Sequence, residues 1–85
     1  MSEKRAAELR EGRAVKAAVL ERDGGCVGAS LVPSVRCYGR LDPHHVLKRS
    51  AGGKDTAENM VAICRAHHSW LHSNPAEAKA LGLLR

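Results

Sequence analysis

The feature that most constrains this chain is the clustering of its potential metal ligands. All five histidines lie between positions 44 and 72, and the three cysteines stand at positions 26, 37 and 64. A single histidine is more often a structural residue than a ligand. So many imidazoles and thiols within one stretch of a short chain favour a metal site.

The core that this sequence can build is small, which gives a metal ion a structural role. The chain has 85 residues, enough for one small domain, with no Phe, one Trp and one Tyr. A domain of this size usually needs a disulfide, a metal or a partner to hold it together. Because the number of cysteines is odd, we expect a reducing, cytoplasmic location and a metal rather than a disulfide framework.

Membrane association and secretion are not expected. The N-terminal segment has no apolar stretch of the kind that a signal peptide needs. The longest uncharged run near the middle, residues 26–35, is far too short to cross a bilayer.

The charge balance points to a polyanion as the first partner to consider. Lys and Arg number 14 against 9 Asp and Glu, which gives a net charge of +5. This bias favours nucleic acid, although many basic proteins bind none. The N-terminal helix can be a solvated structural helix, or a basic arm that touches phosphate through Arg10, Arg13 or Lys16.

The pattern along the chain predicts an α+β fold in three segments. Residues 1–24 are rich in helix-forming side chains and predict a basic helix capped by Ser2, with a loose or edge packing. Residues 25–73 contain the cysteines and histidines. Residues 74–85 predict a C-terminal helix that starts with Asn74 as N-cap and Pro75 at the first position, and stops at Gly82.

Within the middle segment we predict short strands and one helix. The strands are expected at residues 35–38 and at residues 41–48, and the helix at residues 65–73. Residues 56–63 are expected to bring the chain back toward the first cysteine region.

One group of ligands predicts a structural zinc site. Cys64 and His67 have the C-x-x-H spacing that lets two side chains at the start of a helix hold one ion, and Cys26 and Cys37 can complete a tetrahedral set. Such a site contributes about 10–16 kcal/mol to folding in small zinc domains. The alternative is three buried free cysteines that act as small hydrophobic residues. Residues 27–36 separate the first two cysteines, a wider spacing than is usual.

The other histidines form a second group. His68 and His72 are four residues apart and share one helix face, whereas His67 points about 100° away. His44 and His45 are adjacent on an extended segment, so their side chains face opposite ways. The alternative is a polar helix face whose histidines have ordinary hydrogen-bond partners.

The order and spacing of these residues resemble the HNH endonuclease family. The resemblance rests on His44-His45 followed by Gly52-Gly53, then Asp55, Asn59 and the run from Cys64 to His68. The tail at residues 70–75 is similar to small HNH proteins of phages and prophages. The resemblance implies a small zinc-stapled ββα-metal domain (HNH, His-Me finger) with flanking N- and C-terminal helices: a two-stranded hairpin, a glycine loop and a helix around one catalytic divalent ion.

The resemblance also implies roles for single residues. His45 matches the general base, and Asn59 matches the residue that holds the loop and orients this base. His44 and His68 match ligands of the catalytic ion, which would be Mg²⁺, Mn²⁺, Ni²⁺ or Zn²⁺, and His72 matches an additional ligand used in some branches. The family's structural zinc ligands map onto Cys26, Cys37, Cys64 and His67.

These observations predict a metal-dependent endonuclease that hydrolyses phosphodiester bonds of DNA. Basic side chains around the loop are expected to meet flanking phosphates: Lys48, Arg49, Lys54 and Arg65. Two alternatives stay open, a non-catalytic zinc-stabilised DNA-binding module and an accessory subunit of a phage packaging assembly. Since the chain is too small to read a long site alone, sequence preference would need a homodimer or a packaging partner.

Overall fold

The structure of the protein, a computed structural model, describes residues 3–85 apart from four side chains in the first helix, those of Lys4, Arg5, Ala7 and Glu8. Ser2, predicted to cap this helix, lies outside the described residues. The elements in chain order are α1 (Glu3–Asp23), α2 (Gly28–Leu31), β1 (Leu41–His45), β2 (Met60–Cys64), α3 (Arg65–Ser73) and α4 (Pro75–Ala80). Two short 3-10 helices at Arg49–Ala51 and Ala57–Asn59 lie between the strands. The predicted α+β class is therefore confirmed.

The two strands form one antiparallel pair that places the histidine-rich segment beside the core. Leu41 lies opposite Cys64, and His45 lies opposite Met60. β2 is buried at four of its five positions, which fits its continuous apolar sequence. β1 is mostly half-buried, with His44 as its buried residue. The sheet thus holds the histidine pair at one end of β1, where the long connection to β2 begins.

The hydrophobic core lies between β2 and the two C-terminal helices. Its buried members are small or medium-sized: Ile63, Leu71, Ala78, Leu83 and Leu84. Trp70 packs against them while remaining partly exposed. A core without large fully buried aromatic side chains gives little apolar burial per residue, so a further stabilising element is needed.

The first helix is attached to the sheet at its C-terminal end. The Asp23 carboxylate accepts a hydrogen bond from the backbone N–H of Ala62 at 2.8 Å, and Arg22 donates to the carbonyl of Met60 at 2.8 Å. Val19 is fully buried, whereas Leu9, ten positions earlier, is 47% exposed. Among the described side chains of α1, the firm packing is therefore in its last two turns, which agrees with the predicted edge packing.

Several predicted details of local structure are wrong. Residues 35–38 form no strand, and the short helix α2 lies just before them. The Asn74 side chain does not cap α4; its amide nitrogen donates to the Trp70 carbonyl at 2.9 Å and so closes the end of α3. α4 ends at Ala80, and Gly82 follows with a φ of 79°, a left-handed conformation that suits glycine.

Within the described residues, no helix has both the length and the apolar character that crossing a membrane requires.

Candidate metal centre and histidine cleft

Three thiols and one imidazole converge at the N-terminal end of α3. Cys26 follows α1, Cys37 comes from the loop before β1, Cys64 ends β2 and His67 lies in the first turn of α3. Their ligand atoms all lie within 4.8 Å of one another. The structure thus brings together all four predicted zinc ligands across sequence separations of up to 41 residues, and this Cys/His group can bind a metal ion.

The distances within this cluster fit a tetrahedral zinc ion. The His67 Nδ1 atom lies 3.5 Å from the Cys26 Sγ, 3.6 Å from the Cys37 Sγ and 3.1 Å from the Cys64 Sγ. Zinc–sulfur bonds of about 2.3 Å and zinc–nitrogen bonds of about 2.0–2.1 Å at a tetrahedral angle separate S and N by about 3.6 Å. The long insertion between Cys26 and Cys37 therefore does not prevent the two thiols from meeting at one site.

The surroundings of His67 fix the ring in the orientation that a ligand needs. Its Nε2–H donates to the backbone carbonyl of Val32 at 3.0 Å, which leaves the lone pair of Nδ1 facing the thiols. The ring also rests on the backbone of Gly28, where an added Cβ would lie 2.6 Å from the ring Cγ. Val32 and Gly28 therefore explain why the chain between the first two cysteines folds into α2 against the imidazole.

The thiols differ in how readily they ionise. Burial opposes ionisation of Cys64, but the hydrogen bond that its Sγ accepts from the His67 backbone N–H lowers its pKa to about 6. Desolvation and the neighbouring Cys64 and Cys26 thiols raise the pKa of Cys37 to about 11. At neutral pH the Cys37 thiol therefore stays protonated in the cluster alone. A divalent cation supplies the charge that allows all three thiols to bind as thiolates.

A second group of histidines lines a cleft on the other side of α3. This histidine cleft is bounded by Pro43, His44, His45, Lys48, Arg49, His68 and His72. The ring centroids of His44 and His68 are 5.5 Å apart, and the Nε2 atoms of His68 and His72 are 3.2 Å apart. Four of the five histidines therefore meet at one place, separate from the cysteines.

Within this cleft, His44 and His68 favour the neutral form of the imidazole ring. Burial lowers the pKa of His44, and its Nε2–H donates to the Leu83 carbonyl at 2.7 Å. Burial and the neighbouring His72 lower the pKa of His68. A neutral imidazole that donates through one nitrogen offers a lone pair on the other. His44 thus has Nδ1 available, held in place by the C-terminal segment of the chain.

His45 has a partner that the sequence did not reveal. Its Nε2 lies 2.5 Å from the Asp55 Oδ1, and this contact, supported by the charges of Arg49 and Lys16, lowers the pKa of Asp55. Because Asp55 is a carboxylate, His45 donates through Nε2–H and keeps Nδ1 as an acceptor. Asp55 also reaches α1, where a Cβ on Gly12 would lie 3.3 Å from its Oδ2.

The predicted loop-holding residue closes the connection between the strands. The Asn59 Oδ1 accepts from the Leu47 N–H at 2.9 Å, and its amide nitrogen donates to the carbonyls of Leu47 and Lys54 at 3.0 Å each. Gly53 packs so closely on the Leu47 carbonyl that a Cβ would overlap with it. Asn59 therefore ties both ends of the loop that carries Asp55, without touching His45 itself among the described hydrogen bonds.

The four basic residues predicted to bind DNA do not lie together. Lys48 and Arg49 line the histidine cleft, and Lys54 lines a neighbouring groove against α1. Arg65 lies 3.7 Å from an Asp42 carboxylate oxygen and lines neither cavity.

Comparison with protein-family models, curated proteins and solved structures finds no match to this chain.

Proposed function

We propose that the protein is a metal-dependent endonuclease of the HNH type that hydrolyses phosphodiester bonds of DNA. In this proposal the strand pair and α3 form the ββα-metal core. The cysteine cluster holds a structural Zn²⁺, and the histidine cleft carries the chemistry. The proposal joins the sequence resemblance to the arrangement of two separate ligand groups around one helix.

The observation that carries the proposal is the composition of the histidine cleft. His44, His45, His68 and His72 line it together with the cationic side chain of Arg49. Two of these imidazoles, those of His44 and His68, have lowered pKa values that favour the neutral form. Hydrolysis of a phosphodiester needs a proton acceptor, ligands for a divalent ion and positive charge for the phosphate, and imidazole and guanidinium side chains are of the kinds that can supply them.

His45 is the proposed general base. Its Nδ1 is the free acceptor, because Nε2–H is held by Asp55 at 2.5 Å. As the oxygen of water bonds to phosphorus, the proton of that water passes to Nδ1 and the bond from phosphorus to the 3′ oxygen breaks. Asp55 orients the ring and stabilises the imidazolium that results. Arg49 and Lys48 meet the charge of the phosphate.

His68 and His72, with His44 beside them, would hold the catalytic divalent ion, although these three do not form a group of close ligands among the described residues. Two imidazole nitrogens on one tetrahedral ion are separated by about 3.3 Å, and the Nε2 atoms of His68 and His72 lie 3.2 Å apart. When bound, such an ion polarises a phosphate oxygen and stabilises the leaving alkoxide. An all-histidine set also accepts softer ions, so Mg²⁺, Mn²⁺, Ni²⁺ and Zn²⁺ are all candidates.

The test is cleavage of supercoiled plasmid by purified, zinc-containing protein. Wild type is compared with His45→Ala in the presence of each candidate ion and after addition of EDTA, with zinc content measured on the same samples. We expect ion-dependent nicked or linear DNA from wild type, and loss of cleavage in His45→Ala at unchanged zinc content. Wild-type protein that is folded and zinc-loaded but inactive with every ion would refute the proposal.

A non-catalytic zinc-stabilised DNA-binding module is the second candidate. It is favoured by the geometry of the cysteine cluster, since this is the one group of three or more close metal ligands found among the described residues. This module would bind DNA equally well as wild type and as His45→Ala, and neither protein would cut it. The plasmid assay, run beside a DNA-binding measurement, therefore separates the two candidates.

A further inference from the structure

A second and larger cavity lies between α1 and the loop that connects the strands. This α1 groove is formed on one side by helix positions 6–16 and on the other by Arg49, Gly53, Lys54 and Asp55. Its volume is about 1080 Å³, compared with about 260 Å³ for the histidine cleft. Val19 near the C-terminal end of α1 is buried, whereas the preceding part of the helix lies beside the loop.

The α1 groove is strongly basic. Its walls carry five cationic side chains, Arg10, Arg13, Lys16, Arg49 and Lys54, against the carboxylates of Glu11 and Asp55. None of the five cations forms an ion pair with a carboxylate among the described side chains. Asp55 is engaged by His45. Such a groove concentrates positive charge well above the protein's average and attracts a polyanion.

The α1 groove adjoins the histidine cleft. Arg49 lines both cavities. The hydrogen bond between His45 and Asp55 joins a residue of the cleft to a residue of the groove. A polymer with a phosphate in the cleft can therefore continue along α1 without leaving the basic surface.

We propose that the α1 groove binds the sugar–phosphate backbone of DNA beside the bond that is cut. This inference rests on the proposed nuclease function for the position of the scissile phosphate. Helix positions 6–16 extend over about 15 Å at 1.5 Å per residue. One strand of a duplex carries a phosphate every 3.4 Å along its axis, so this length corresponds to about four phosphates. The groove gives sequence-independent binding on one side of the cut.

The test measures DNA affinity across a series of salt concentrations, with zinc-loaded full-length protein. A His45→Ala background prevents cleavage, and the probe is a short fluorescent duplex. The groove variant is Arg10→Gln/Arg13→Gln. The matched control is Lys79→Gln/Arg85→Gln, which removes the same charge from exposed residues that line neither cavity.

We expect the groove variant to lower the salt slope of log K by about 1.8 relative to the control, because each lost phosphate contact removes about 0.9. At 0.1 M salt this corresponds to about sixtyfold weaker binding if affinity at 1 M is unchanged. Lys54→Gln, on the opposite wall, is expected to lower the slope by about 0.9. Unchanged zinc content and thermal unfolding would show that each variant is folded.

Equal slopes for the groove and control variants would overturn the inference. The inference would also be overturned if the groove variant lost affinity for a polyglutamate peptide but kept its affinity for DNA. The groove would then be a binding site for an acidic protein segment. If wild type cuts DNA but the groove and control variants have equal slopes, only the proposal that the groove binds DNA is refuted. Unequal slopes without any cleavage would refute the nuclease proposal while the DNA-binding groove stands.

Discussion

Replacing Gly28 by Ala tests how the chain between the first two cysteines supports the metal centre. An added Cβ would lie 2.6 Å from the His67 Cγ and 2.7 Å from its Cδ2. Carbon atoms in contact prefer about 3.5–4.0 Å, so the ring must move by about 1 Å. Metal–ligand distances tolerate shifts of only about 0.2 Å. The ring cannot yield easily, since the Val32 carbonyl holds its Nε2.

The expected cost of Gly28→Ala is about 1–3 kcal/mol, typical of overpacking in a filled site. This cost exceeds the gain of up to about 1 kcal/mol that Ala brings to a helix. If the whole of this free-energy cost falls on zinc binding, the zinc affinity decreases by about 5- to 150-fold. The assay is zinc competition against a chelator, with thermal unfolding on the same samples.

Gly25→Ala is the matched control for this substitution. A Cβ at Gly25 would have no neighbour within 4 Å, and this residue is not among the glycines with positive φ. The control is expected to be neutral or more stable by about 0.4–1 kcal/mol, because Ala restricts the unfolded chain. Equal zinc affinities for the two variants would refute the claim that Gly28 positions His67.

Three further substitutions address the contacts around the histidine cleft and the first helix. Asp55→Asn should lower kcat for plasmid cleavage by about 10- to 100-fold without weakening DNA binding, because His45 loses its orienting carboxylate while the basic groove loses a negative charge. Asn59→Asp keeps the acceptor for Leu47 N–H but loses both donors, and should cost about 1–3 kcal/mol of unfolding free energy by denaturant titration. Asp23→Asn should cost about 1 kcal/mol at neutral pH. Since its folded-state pKa is lowered, the stability from Asp23 is complete above the ordinary Asp pKa of about 3.9 and disappears as pH falls through the folded-state value.

Each of these substitutions has its own control or refuting result. Glu58→Gln removes an exposed carboxylate from the same connection and should leave cleavage unchanged; an equal loss of kcat would show that charge, not orientation, matters at Asp55. For Asn59, a variant as stable as wild type would contradict the loop-closing role. For Asp23, the difference in stability between wild type and variant should shrink as the pH falls below the ordinary Asp pKa, and a difference that does not shrink at all in acid would contradict the pKa argument.

The regular elements with strong local signals were the ones that the sequence could predict. α3 occupies residues 65–73 as expected, and α4 begins at Pro75, where proline suits the first helical position. The four ligands of the cysteine cluster were found from residue type and spacing, although the distance along the chain between Cys26 and Cys37 obscured how they meet.

The contacts that orient the site could not be predicted, because they join residues without any periodic pattern. The Asp55 carboxylate holds His45 from ten positions away, and the Val32 carbonyl holds His67 from 35 positions away. Backbone carbonyls are the same in every residue and leave no mark in a sequence. For Asp55, a carboxylate two residues after Gly52-Gly53 is the local signal, and it fits an exposed surface residue equally well.

The most direct test of the account is whether the two ligand groups act as separate metal centres. Wild type and His68→Ala/His72→Ala are each prepared with one equivalent of Zn²⁺, and plasmid cleavage is measured as a second divalent ion is added. We predict that both proteins keep the first zinc and the same thermal stability, that wild type cuts only after the second ion is added, and that the variant does not cut. A variant that loses the first zinc, or that cuts as fast as wild type, would contradict the division into a structural centre and a catalytic cleft.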